Sequence, residues 1–170
     1  MRRVTAVALL ALSLACARHA PAPPKTYVDS KRGVQFEYPS DWSAEEVTEQ
    51  NVLLLSSPVQ EANWQTNIFI ERRRDLDTTQ PREQRLATLA DNLARKKSGF
   101  ALQSYKSGVP AGELTYTHTS QGVPLREREL ILWLPDGRTL FVTGSAVTSL
   151  WSKYADQMSV VFDSVRPTSQ

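Results

Sequence analysis

From Phe100 to Ala146 the sequence leaves room for little except strands joined by short turns. Alternating or β-branched runs cover Phe100–Lys106, Gly112–Thr119, Leu125–Leu134 and Thr139–Ala146. Ser120-Gln121-Gly122 and Pro135-Asp136-Gly137 separate them with residues that favour tight turns. Strands joined so closely have to pair antiparallel, because a parallel connection needs a long crossover. Three further strands are expected upstream. Gly33 to Pro39 places Val34, Phe36 and Tyr38 on one face, Asn51 to Ser57 is a short apolar run stopped by Pro58, and Thr66 to Arg72 completes the set.

Two segments break the strand period. Arg82 to Lys97 repeats Leu86, Leu89, Ala90, Leu93 and Ala94 at helical spacing, with Pro81 at its first turn and Lys96, Lys97 and Gly99 at its end. A second stripe of Leu150, Tyr154, Met158, Val161 and Val165 follows a capping Thr148 or Ser149, and Pro167 closes it. Strands, helix, strands, helix predicts an α+β domain in which helices pack on an antiparallel sheet.

The N-terminus reads differently. Arg2-Arg3 precedes an uncharged apolar run from Val4 to Ala15, too short to span a bilayer and suited to the core of a signal peptide. Two processing sites overlap. Leu12-Ser13-Leu14-Ala15-Cys16 resembles a bacterial lipobox, with Ser13 where Leu is commonest, and would make Cys16 the lipidated first residue. Ala15-Cys16-Ala17 also fits an A-x-A cleavage site, which would remove the cysteine and leave a soluble periplasmic or secreted protein. Cys16 is the single cysteine of the chain, so no internal disulfide can form. Pro21, Pro23 and Pro24 make the next stretch a stiff spacer. The expected organisation is a signal peptide over 1–15, a lipidated N-terminus and linker over 16–26, and one domain over 27–167. Ala17 in place of Asp resembles the sorting pattern of an outer-membrane lipoprotein.

Within this frame the segment YVDSKRGVQFEYPSDW, Tyr27 to Trp42, resembles the opening of PsbP-like domains. The strand Leu140–Ala146 and the helix ending near Phe162-Asp163-Ser164-Val165 resemble their close. The resemblance implies an αβα sandwich, a central antiparallel sheet flanked by helices. It also implies a role as a binding or assembly accessory without catalysis, often as an envelope lipoprotein.

Chemistry is sparse. His19 lies in the linker and His118 on a strand, and the folded part has no cysteine, so the usual zinc ligand sets are missing and no metal or cofactor is expected. A Ser-His-Asp triad would need His118, but there is no nucleophile elbow, and no phosphate loop occurs either. Arg2 and Arg3 account for the whole net charge of +2, leaving the remainder balanced, which excludes a dedicated nucleic-acid binder. Glu45-Glu46 reads as a solvated turn. Arg126, Glu127, Arg128 and Glu129 alternate on one strand, which reads as its polar end with cross-strand ion pairs. A sharper reading is a recognition strip with Arg126 and Arg128 on one face. Arg72, Arg73 and Arg74 form the strongest basic run and could meet anionic headgroups. Trp64 sits in a polar loop and is a candidate anchor for a protein partner. A carboxylate-dependent hydrolase would require acids converging in a pocket, and a carrier of a small apolar ligand would require an open apolar cavity.

Overall fold

A computed structural model describes residues 22–73, 79–108, 110–134 and 137–168. Cys16 with the whole leader, and Arg74, lie outside the described residues.

The chain opens with a hairpin of β1 (Lys25–Asp29) and β2 (Val34–Tyr38), to which β10 (Arg166–Pro167) adds a third strand. A second, seven-stranded sheet contains β3 (Ser43–Val47), β4 (Val52–Glu61), β5 (Trp64–Arg73), β6 (Ser98–Lys106), β7 (Ala111–Ser120), β8 (Val123–Trp133) and β9 (Thr139–Val147). Its spatial order is β3-β4-β5-β9-β8-β7-β6, and every neighbouring pair is antiparallel. Helix α1 (Arg82–Lys96) lies between β5 and β6, and α2 (Trp151–Ser164) follows β9.

Strand alternation divides the apolar side chains between the two faces of the large sheet. Ile131 and Phe141 join Leu114, Tyr116 and the α1 residues Leu86 and Leu89. Their chain neighbours Leu132, Leu140 and Val142 join Leu53, Ile68 and the α2 residues Met158, Val161 and Phe162. Val34 and Phe36 of the small sheet complete that second cluster. Full burial of each leucine of the α1 stripe is worth about 2 kcal/mol. Both helices are seated over a strand glycine. A Cβ at Gly144 would lie 2.9 Å from the Phe162 ring, and one at Gly112 would lie 3.0 Å from Leu86 Cδ2.

The expected sheet-and-helix plan is present, with the helices contributing less cover than a full sandwich. Strands spaced about 4.8 Å apart make seven strands about 29 Å wide, whereas one helix covers about 10 Å. On its face α1 packs over the β7–β8 side, and Leu54, Phe69 and Glu71 of β4 and β5 remain half-buried.

Two local expectations change. Glu45 and Glu46 belong to strand β3 instead of a turn. Pro58 does not end β4, because the register shifts between Ser56 and Gln60 and the bulge relieves proline of its ladder hydrogen bond.

A buried ion cluster joins the two sheets. Arg32, in the β1–β2 turn, is 1 % exposed. Its Nη1 donates to Asp29 Oδ2 at 2.6 Å and to Glu46 Oε1 at 2.7 Å, and its Nη2 to Glu46 Oε2 at 3.2 Å. This pairing holds the Glu46 carboxyl below its ordinary range, chiefly through the Arg32 hydrogen bonds. Arg72 of β5 donates to the Arg32 carbonyl. Gly33 follows at φ +70°, and a Cβ there would lie 3.3 Å from Arg72 Nη2. Removing the guanidinium leaves Asp29 buried without its counter-charge. Arg32→Ala is therefore expected to lower the unfolding free energy by about 3–5 kcal/mol in urea titration, and Arg32→Lys, which lacks the planar fork, to restore only part of it.

Candidate functional site

Beside the C-terminal turn of α1 the uncovered sheet forms a pocket of about 300 Å³. Glu71 and Arg73 of β5, Thr143 of β9, Glu127 and Glu129 of β8 and Tyr116 of β7 contribute to it. Val52, Phe69, Leu93, Gln50 and Lys97 complete the lining.

The register explains why these groups meet. Glu129 faces Thr143 on one side and Leu114 on the other, while Glu127 sits between Ser145 and Tyr116. Both glutamates therefore point to the α1 face, and the intervening Arg128 points away. Glu127 is the hub. Tyr116 donates its hydroxyl to Oε2 at 2.5 Å, Lys97 Nζ donates to the same oxygen at 2.9 Å, and His118 Nε2 lies 2.9 Å from Oε1. Burial works to raise the Glu127 pKa, but the Lys97 charge and these hydrogen bonds outweigh it and hold the carboxyl below its ordinary range. The Tyr116 hydroxyl is driven far above its ordinary range by burial and by the charges of Glu129 and Glu127, so it remains a donor.

Glu129 is the exception in this network. It is 3 % exposed, and its Oε2 has no hydrogen-bond partner. Burial first, and then the charge of Glu127, push its carboxyl up to about 7. The pocket thus pairs an ionised carboxylate with a neighbouring acid that is neutral below neutrality. Among the described residues no group of three metal-ligating side chains occurs.

Of the described residues read from sequence as candidate partner contacts, only Arg73 lines this pocket, where it meets Glu127 and Glu129, which the sequence presents as a polar strand end. Arg73 Nη1 lies 3.4 Å from Glu71, and its guanidinium sits over the Phe141 ring at 4.7 Å. Arg126 and Arg128 do share a face, where they stack on α2: Arg126 over Trp151 at 4.9 Å and Arg128 over Phe162 at 4.5 Å. Arg128 also pairs with Glu113 at 3.0 Å. Arg72 is committed to the Arg32 turn. Trp64 is half-buried at the start of β5, opposite Glu61. The hub residues Glu127 and His118 were visible in the sequence as a polar strand end and an isolated histidine. The period of two already separates the glutamates from the arginines, but nothing local to the strand shows which face a helix covers.

A second depression of about 500 Å³ lies on the other side of the domain, lined by Ala22, Pro23, Pro24, Pro39, Ser40, Asp41, Asp156, Gln157 and Val160. It is apolar but lies where the linker meets α2, outside the sheet–helix core.

Residues 24–166 match the PsbP family model. The chain belongs to the PsbP family. No curated protein sequence matches it. Solved structures share the PsbP-type fold at low identity. Cyanobacterial PsbP from Synechocystis sp. PCC 6803 is 16 % identical with TM-score 0.58, over 89 % of this chain and 96 % of that one. LpqN of Mycobacterium tuberculosis, described as involved in cell envelope biogenesis, is 15 % identical with TM-score 0.61, over 87 % of each chain. The Ran-binding protein Mog1p of Saccharomyces cerevisiae is 6 % identical with TM-score 0.61, over 86 % of this chain and 96 % of that one. These likenesses establish the fold of this PsbP-family domain, and no catalytic family is among them. Among the described residues no helix is long and apolar enough to cross a membrane.

The raised Glu129 value fixes the sign of a pH dependence. Because the folded-state value lies above the ordinary 4.5, the neutral acid is the stabilising form. Its contribution is whole below pH 4.5 and is lost as the pH rises through about 7. Glu129→Gln removes the titration. Urea unfolding of the wild type is expected to fall behind the variant progressively between pH 4.5 and 8, by roughly 3 kcal/mol at the upper end. Parallel stability curves would contradict the burial of an unpaired acid.

Proposed function

We propose that the protein is a lipid-anchored envelope protein whose PsbP-family domain serves as a non-catalytic binding or assembly accessory. The observation that carries this reading is where the family match begins. It starts at residue 24, inside the Pro-rich stretch and eight positions after the single cysteine, which supports reading the segment around it as a tether. Multiple acyl chains on Cys16 would hold the domain durably at a membrane, since one chain binds only reversibly. Ala17 in the second position favours the outer membrane. The roles of two structural neighbours, envelope biogenesis and Ran binding, support an accessory function that works through protein contact. For that contact we favour the β4–β5 hairpin, where Trp64 is half-buried and Val59 is 52 % exposed. Tryptophan is among the residues that most often carry the binding energy of an interface.

Fractionation tests the anchor. Cys16→Ala is expected to move the protein from the membrane to the soluble envelope fraction, and unchanged membrane retention overturns the claim. Trp64→Ala is expected to abolish the envelope partner crosslinked by the wild type without changing the fold.

One observation favours a second reading. Glu127 and Glu129 converge in a pocket with their protonation states set apart, as acid–base hydrolysis requires. Against it, both Glu127 oxygens are already engaged by Tyr116, Lys97 and His118, which leaves a poor base for activating water. The purified domain is expected to hydrolyse chromogenic aryl glycosides and esters no faster than Glu129→Gln. A clear difference between the two proteins would establish the hydrolase.

A further inference from the structure

The pocket beside α1 contains one acid more than its cations can satisfy. Arg73 is engaged with Glu71 at 3.4 Å and Lys97 with Glu127 at 2.9 Å. Glu129 makes no ion pair among the described residues, and its Oε2, almost fully buried, accepts no hydrogen bond. A deeply buried polar atom without a partner is destabilising, and more so when it is charged. A ligand that supplies the missing positive charge and donors removes that cost. Thr143, opposite Glu129 in the register, adds a hydroxyl beside it. Val52, Phe69 and Leu93 supply apolar wall. A volume of about 300 Å³ is at the small end of ligand sites.

We infer that this pocket binds a primary ammonium group, with its nitrogen at Glu129 and its carbon stem along Val52, Phe69 and Leu93. An ammonium has three donors and no acceptor, which matches an orphan carboxylate and a hydroxyl. An anion would meet Glu71, Glu127 and Glu129 together. The inference goes beyond the accessory reading and does not depend on the lipid anchor, because the pocket lies within the folded domain.

The ammonium requires an ionised Glu129, so binding must displace its proton. The charged and titratable groups facing it are Glu71 and Arg73 from β5, Tyr116 and His118 from β7, Glu127 from β8 and Lys97 just after α1.

Calorimetric titration of the full mature domain tests the site, using ethanolamine and Nα-acetyl-lysine amide against their alcohol counterparts, ethylene glycol and Nα-acetyl-norleucine amide. At pH 8 at least one amine is expected to bind and its uncharged counterpart is not. Affinity for that amine should fall roughly thirtyfold from pH 8 to pH 5.5 as Glu129 takes up its proton. Proton release should appear as a heat that depends on the buffer. Glu129→Gln, which keeps the shape of the side chain and relieves a buried charge, should fold and lose amine binding. Stronger binding of the lysine derivative identifies the natural source as a protein side chain, and stronger binding of ethanolamine identifies a free amine. Either supports the site. No amine binding at pH 8, equal binding of the uncharged counterparts, or retention in Glu129→Gln overturns it.

Discussion

The Arg32 guanidinium ties the two sheets of this protein together. One end of its network is Asp29, in the same turn, and the other is Glu46, on an edge strand of the large sheet. The apolar side chains of Val34 and Phe36 hold the β1–β2 hairpin against the core without directing it. Directional, charge-assisted bonds add that orientation. The same turn fixes the approach of β5 through Arg72, whose side chain fills the space that a residue larger than glycine at position 33 would need. Small sheet, edge strand and central strand therefore share one electrostatic node.

With that frame fixed, the large sheet is covered unevenly. One face carries α2 together with the small sheet, and the other carries α1 alone. The difference in width between one helix and seven strands leaves a polar pocket over β5, β9 and β8. The acids in that pocket owe their properties to position more than to residue type. Glu127 receives three donors and ionises readily, while Glu129, two residues along, receives none at Oε2 and resists ionisation.

Much of the architecture is legible in the sequence because it rests on local periodicity. The α1 stripe places Leu86 and Leu89 in the core, and Val34 and Phe36 alternate inward as the strand period requires. The motif between Tyr27 and Trp42 carries the family, and the structure shows why it is spaced as it is. Asp29, Arg32 and Gly33 build the turn, and Trp42 is buried with its indole donating to Gln157 of α2. The rest is illegible because it depends on contacts remote in sequence. Arg32 looks like any charged turn residue until Glu46, fourteen positions later, is brought to it by strand pairing. Glu45-Glu46 resembles a solvated turn because an edge strand needs little apolar content. Glu127 and Glu129 look exposed because nothing local indicates that the C-terminal cap of α1 supplies Lys97 and β7 supplies Tyr116 and His118.

The alternation Arg126-Glu127-Arg128-Glu129 has a further consequence for how this chain finds its fold. A slip of one residue in β8 would exchange the two faces of the strand. The glutamates would then confront the π-clouds of Trp151 and Phe162, which attract cations, and the arginines would be driven against Lys97. Mispaired sheets usually fail by exposing apolar side chains. Here a mispaired sheet would also place like charges together and carboxylates on aromatic rings, so the alternating charges penalise a shifted register of β8.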